Sequence, residues 1–305
     1  MATEKGTVCV TGGTGFVGSW LISRLLRHGY SVTTTVRSHP GHKKDLSFLT
    51  SLQGASERLQ IFHADLSDPE SFEAAIEGCT GVFHVATPLD FADREPEEVV
   101  TKRSINGALG ILKACLNSKT VKRVVYTSSA ATVQFPSNAE AVDEVDESIW
   151  SDEEYIKKNG LEVVTLIPSF VVGPFICPKL PGSVWTTLAP VLGNEDGYGV
   201  LLKTCMVHVD DIASAQIFLL EHPDAKGRYT CSSDVVTLES LAELLSAKYP
   251  EFHMPSKESI KEIKGHKIFP TISSKKLRDC GFKFEYGVEE VYSDAIRCCK
   301  EKGYL

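Results

Sequence analysis

A chain of 305 residues is long enough to bury a large core in one big domain or two closely packed ones. Its net charge of −8 argues against a nucleic-acid or anionic-membrane surface, since either needs a basic footprint. The start, MATEKGTVCV, carries no long apolar stretch before its first strand, and the apolar stretch near 161–178 is broken by Pro168, Pro174 and Pro178. Neither a signal peptide nor a membrane span is therefore expected.

In chain order, TVCVT (7–11) reads as a buried strand and is followed at once by GGTGFVG and a helical pattern over 16–28. SVTTTV (31–36), LQIFHA (59–64), GVFHVA (81–86) and KRVVYT (122–127) read as further buried parallel strands. Helical patterns at about 40–52, about 69–77 and about 96–118 lie between them. Strand–helix alternation with short turns predicts an α/β fold, a Rossmann-type doubly wound parallel sheet. After Thr127 the rhythm fails: residues 128–160 are acidic and loop-like, and the next strand is LEVVTLI (161–167). A parallel crossover needs about a dozen residues or more, usually as a helix, and residues 151–159 would make only two turns. One crossover helix thus looks missing. Beyond 168 the alternation loosens into a smaller C-terminal substrate domain. The expected division is 1–167, completed by about 208–230, for the Rossmann part, and 168–207 with 231–305 for the substrate domain.

The nine cysteines are odd in number and form no C-x-x-C pair or zinc pattern, so no metal site is expected and a reducing, cytoplasmic setting fits. Cys298-Cys299 reads as helix packing, and His208 in VHVDD as a packed strand-end histidine.

Glycines 12, 15 and 18 follow a strand and open a helix. Gly12 suits the tight turn, Gly15 lets a pyrophosphate approach the backbone, and Gly18 permits close helix packing. About 20 residues past the loop, where an NAD binder places an acid for the ribose hydroxyl, stands Arg37. A guanidinium there suits a 2′-phosphate, with Lys44 as a second positive charge, so NADPH is the expected cofactor. Asp65 is placed to accept from the adenine amine, or else to cap a turn near Asp68-Pro69. Thr87 and the backbone of ATP (86–88) would line the nicotinamide ribose.

The motifs VTGGTGFVGSW, TVR, ADL, HVATP, NGALGILKAC, VVYTSS, PSFVVGP and VHVDD together resemble the extended short-chain dehydrogenase/reductases. Within them the chain is similar to the plant dihydroflavonol and vestitone reductase group, nearly end to end. The resemblance implies Gly12, Gly15, Phe16, Val17 and Gly18 on the pyrophosphate, Arg37 and Lys44 on the 2′-phosphate, and Asp65 with Leu66 at the adenine. It further implies Val85, Ala86 and Thr87 on the ribose side, Thr127 among the cofactor-binding residues, Pro168 and Val171 at the nicotinamide amide, and Ser183 at a phosphate. Ser129 matches the catalytic serine that polarises the substrate carbonyl, and Asn106 is either a helper or a structural helix residue.

The same resemblance implies a Tyr-x-x-x-Lys pair on a helix after the WSD turn. Here WSDEEYI runs into KKNGLEVV, so Tyr155 has lysines at Lys157 and Lys158 but Asn159 at the fourth position. Tyr155 reads as a turn residue made a neighbour of the lysines by the loss of about two dozen residues, the length of a crossover helix. In such enzymes the tyrosine gives the product alkoxide its proton, and the lysine lowers the tyrosine pKa.

The implied function is NADPH-dependent reduction of a flavonoid- or isoflavonoid-like aromatic ketone to an alcohol. Two alternatives stay open: a catalytically impaired NADP(H)-binding variant, and a cinnamoyl-CoA reductase relative. Gln134 stands where dihydroflavonol reductases often carry Asn or Asp. Loss of the helix also leads us to expect exposed apolar side chains on the fifth strand (Val124 with Tyr126, or Val125) and over Val163–Ile167.

Overall fold

The structure is a computed structural model that describes residues 5–37, 45–87, 96–134, 144–147, 161–263 and 269–305. Seven parallel strands form the main sheet: β1 (Thr7–Thr11), β2 (Ser31–Val36), β3 (Leu59–His63), β4 (Gly81–His84), β5 (Arg123–Thr127), β7 (Glu162–Pro168) and β10 (Gly227–Cys231). Their order is β10-β7-β5-β4-β1-β2-β3, which places the reversal of strand order between β1 and β4. Strands β8 (Phe170–Val172), β9 (Thr204–His208) and β11 (Asp234–Val236) make a second sheet. The short β6 (Glu144–Val145) pairs with β12 (Thr271–Ile272).

Five longer helices complete the frame: α1 (Phe16–Arg27), α2 (Glu97–Ser118), α3 (Val209–Glu221), α4 (Leu238–Lys248) and α5 (Val288–Glu301). α1 begins where the glycine loop ends, and Gly29, at φ +88, lets the chain turn back toward β2. The sheet buries both faces of its inner strands, which therefore read as continuous apolar, mostly β-branched runs. At the edge, β3 departs from the expected burial, with none of Leu59–His63 fully buried. Val8, Val10 and Phe83 pack with Leu21, Ile22 and Leu25 of α1 and Ile212 of α3. Cys9, Val82 and Val124 pack on the other face with Ile111 and Cys115 of α2. A separate cluster joins Val172, Phe175 and Met206 to Leu241 of α4 and Tyr292 and Ile296 of α5. Among the described residues no helix is long and apolar enough to cross a membrane, and no group of side chains could hold a metal ion.

The exposure expected on the sheet is largely overturned. Val124, Val125, Val164, Leu166 and Ile167 are all buried. Val125, Val164 and Leu166 face the α1/α3 side, where α3 arrives from more than forty residues later in the chain to cover them. Val124 lies under α2, and Ile167 packs with Ala130, Val133 and Ile272. Only Val163, Thr165 and Tyr126 stay half-buried. Exposed apolar side chains gather instead on α2, where Ile105, Leu109 and Leu116 are exposed at 54%, 40% and 38%, with Trp185 and Val235 exposed elsewhere. Spacings of four and seven put the three α2 side chains on one stripe, opposite the stripe that buries Ile111 and Cys115. Tyr155, Lys157 and Lys158 fall outside the described residues.

All nine cysteines are free, and eight of them are buried. Burial pushes the Cys299 thiol up to about 11, so the Cys298-Cys299 pair packs helix α5 rather than offering a thiolate.

Candidate cofactor and active site

The singled-out residues follow the C-terminal ends of the parallel strands: the glycine loop after β1, Arg37 after β2, Asp65 after β3, Val85–Thr87 after β4 and Ser129 after β5. In an open parallel sheet that edge, at the reversal of strand order, is where a ligand crevice forms.

Gly12 has φ +76, and a Cβ there would meet the Ala86 Cα at 2.9 Å. At Gly18 a Cβ would lie 2.4 Å from the Gly12 carbonyl oxygen, so the start of α1 rests directly on the turn. Thr35 fixes the loop to β2: its Oγ1 accepts from the Gly12 amide at 3.2 Å, and its carbonyl accepts from the Gly13 amide at 3.1 Å. The amides of Phe16, Val17 and Gly18 are in the first turn of α1 and have no acceptor within the helix. Gly15 is exposed beside them. Backbone N–H groups, the helix dipole and a surface cleared of side chains fit a pyrophosphate.

Thr11, which sequence reasoning passed over, ties this loop to the ribose side. Its Oγ1 accepts from the amides of Val85 and Ala86, each at 3.1 Å, and lies 2.9 Å from His84 Nδ1. A hydroxyl has two lone pairs and one proton. With both lone pairs engaged, Thr11 donates to Nδ1, and His84 is held as the neutral tautomer protonated at Nε2. Burial agrees, pushing the imidazole down to about 4. Val85 and Ala86 leave the sheet because their amides turn to Thr11, which ends β4 at His84. The adjacent Thr87 is exposed. The available signal was a hydroxyl residue immediately before Gly12, opposite HVAT.

On the adenosine side, Arg37 Nε lies 3.5 Å from Asp65 Oδ2, and both side chains are about half exposed. Asp65 also accepts from the Ser67 amide at 2.8 Å. Burial disfavours its charged form, but the Ser67 bonds and the charges of Arg37 and Arg103 outweigh that and hold its pKa low. Asp65 therefore both orders its own turn and orients Arg37. Leu66 is buried against Gly107 of α2, where a Cβ would come within 2.8 Å of it. Lys44 lies outside the described residues.

Ser129 is exposed at the end of β5. Its Oγ accepts from the Ala131 amide at 3.3 Å, which leaves its own proton to donate. The Ala130 amide donates to the Pro168 carbonyl at 2.9 Å, so the serine turn is pinned to the end of β7. Thr127 Oγ1 is engaged by Gln216 Nε2 at 2.6 Å, on the α3 side of the sheet. Ser183 donates to the Val171 carbonyl at 2.6 Å, which joins those two residues but commits the serine proton away from a phosphate. Asn106 lies with Leu66, Pro69 and Leu109 along a groove on the outer flank of α2. His208 is buried, accepts from the Asp210 amide at 3.1 Å and stacks on Tyr286 with ring centres 4.0 Å apart, a packing arrangement.

Residues 8–231 match the NAD dependent epimerase/dehydratase family. Vestitone reductase of Medicago sativa is 53% identical, with all of both chains covered. That alignment spans 330 positions against the 305 residues here, so a helix-sized set of positions has no counterpart in this chain. A bifunctional dihydroflavonol 4-reductase/flavanone 4-reductase of Malus domestica is 43% identical, over 100% of this chain and 93% of its own. The crystal structure of vestitone reductase from alfalfa superposes with a TM-score of 0.88 at 51% identity, covering 99% of this chain and 100% of the other. The chain belongs to the NAD dependent epimerase/dehydratase family.

Proposed function

We propose that this chain is an NADPH-dependent reductase that converts a ketone of a flavonoid- or isoflavonoid-like molecule to an alcohol. The observation that carries the reading is its full-length likeness to reductases named for such compounds, on a chain whose glycine loop, Arg37 and Ser129 share one edge of the sheet. The amides of Phe16, Val17 and Gly18 would hold the pyrophosphate. Arg37, oriented by Asp65, would hold the 2′-phosphate. Val85–Thr87 and Val171 would flank the ribose and nicotinamide. Bound there, NADPH supplies the hydride.

Ser129 donates its hydroxyl proton as a hydrogen bond to the ketone oxygen and draws charge toward it. The oxygen then needs a full proton, which serine gives poorly at neutral pH. None of the nine tyrosines of the sequence is followed by a lysine four residues on, so the familiar donor pair is lacking and the proton comes without it, from water in this reading. General acid assistance contributes about 10²–10⁴-fold, so turnover should be slow by that order. Nine free thiols support a reducing, cytoplasmic setting. Titration with NADPH and NADH, beside a ketone-dependent oxidation assay, tests the reading. Tighter NADPH binding with slow ketone-dependent oxidation supports it, and failure to bind NADPH overturns it.

A further inference from the structure

The segment from Gly173 to Pro181 joins β8, which carries Val171, to the short helix Gly182–Thr187, which carries Ser183. It contains Pro174, Pro178 and Pro181, which have no backbone N–H to give. Several of its backbone groups find partners on α5 and the tail that follows. The Phe175 amide donates to Cys298 Sγ at 3.3 Å, and that thiol donates back to the Phe175 carbonyl at 3.5 Å. The Tyr304 hydroxyl accepts from the Leu180 amide at 3.1 Å and donates to the Pro178 carbonyl at 3.0 Å. Its ring lies against Phe175 with centres 5.9 Å apart, and Lys302 Nζ stands 5.3 Å from the centre of the Phe175 ring. The Tyr304 amide is anchored in turn to the Cys299 carbonyl at 2.9 Å.

Phe175 is held from inside by a buried thiol, while Pro178 and Leu180 are held from outside by a single hydroxyl on a side chain that is 38% exposed. Two bonds of opposite sense on one oxygen fix both the height and the rotation of the loop, because neither can be kept if the segment shifts by more than a few tenths of an ångström. The loop's two ends are the strand bearing Val171 and the helix bearing Ser183, already joined by the Ser183–Val171 bond. A shift of the loop is therefore passed to Val171, which the proposed function places beside the nicotinamide.

We propose that Tyr304 is a positioning residue for the cofactor site, a latch that holds the 173–181 loop so that Val171, braced through its carbonyl by Ser183, meets the nicotinamide half of NADPH. This rests on the proposed NADPH site but not on turnover. It is tested with the full chain by NADPH titration and amide hydrogen exchange of Tyr304→Phe, which removes the hydroxyl and keeps the ring on Phe175. Lys300→Ala, which breaks an exposed ion pair between helix α5 and Glu251 beyond the end of α4, is the control. The expected result for Tyr304→Phe is faster exchange at the Leu180 amide, an NADPH dissociation constant raised by about 3- to 10-fold, and a melting temperature close to that of the unmodified chain, with the control unchanged in all three. Faster exchange with unchanged affinity would overturn the proposal, as would unchanged exchange. If the unmodified chain does not bind NADPH, the functional reading fails instead, and the exchange result still reports on the latch contact.

Discussion

At the scale of single residues the proposed site gives Arg37 the choice of cofactor, and Asp65 beside it sharpens the test. A charge-assisted hydrogen bond to a 2′-phosphate is worth about 1.5–3 kcal/mol, roughly 10- to 100-fold in affinity. Arg37→Asp should lose that much for NADPH, narrowing or reversing the preference over NADH in paired titrations. Unchanged preference would move the 2′-phosphate elsewhere. His84 makes a second prediction, on pH. Its folded pKa is about 4, against 6.5 for the free side chain. Between those values the unfolded chain binds the extra proton, so this group's contribution to stability is present above about 6.5 and is lost as pH falls toward 4. The size is on the order of 3 kcal/mol. His84→Asn keeps an acceptor for Thr11 but cannot titrate. Its urea-melting stability should fall less than that of the unmodified chain between pH 7 and 4.5, and parallel curves would sink the neutral-tautomer assignment.

The loop-to-helix junction is where individual elements become a site. A methyl group on Gly18 would press 2.4 Å from the Gly12 oxygen, a backbone atom that cannot swing aside. Gly18→Ala should push the glycine loop off α1, raise the NADPH dissociation constant by about tenfold or more and lower the melting temperature, as overpacking costs about 1–3 kcal/mol. Unimpaired binding would show that the loop does not hold the pyrophosphate. These elements were legible in the sequence because buried parallel strands must be β-branched runs and a helix opening on glycines has few alternatives. Strand ends were less so: Val85 and Ala86 continue the apolar run but leave β4, drawn away by one hydroxyl on β1. The partners of Thr127 and Ser183 were also hidden, because a side chain's choice between a cofactor and a nearby carbonyl depends on packing that no spacing reveals.

Coverage of the sheet was the least legible feature of the whole molecule. Val125, Val164 and Leu166 looked vulnerable because their neighbours in sequence offer no cover, yet α3 comes back across the chain to bury them. Exposed apolar side chains gather on α2 instead, at Ile105, Leu109 and Leu116. The chemistry has the same asymmetry. Alignment over 330 positions with a relative that is covered in full leaves about 25 positions without a counterpart in this 305-residue chain, and its sequence holds no Tyr-x-x-x-Lys. In the proposed function the glycine loop, Arg37 and Ser129 share the cofactor edge, whereas no Tyr-x-x-x-Lys pair serves the proton step. The central claim is thus a reductase with its hydride half intact and its proton half slowed. The most direct measurement compares ketone-dependent NADPH oxidation by the unmodified chain with that of a chain given a helix bearing Tyr-x-x-x-Lys between Ile156 and Lys157. The account predicts NADPH binding by both and a turnover about 10²–10⁴-fold faster in the restored chain. Equal turnover in the two, or no ketone-dependent oxidation by either, would contradict it.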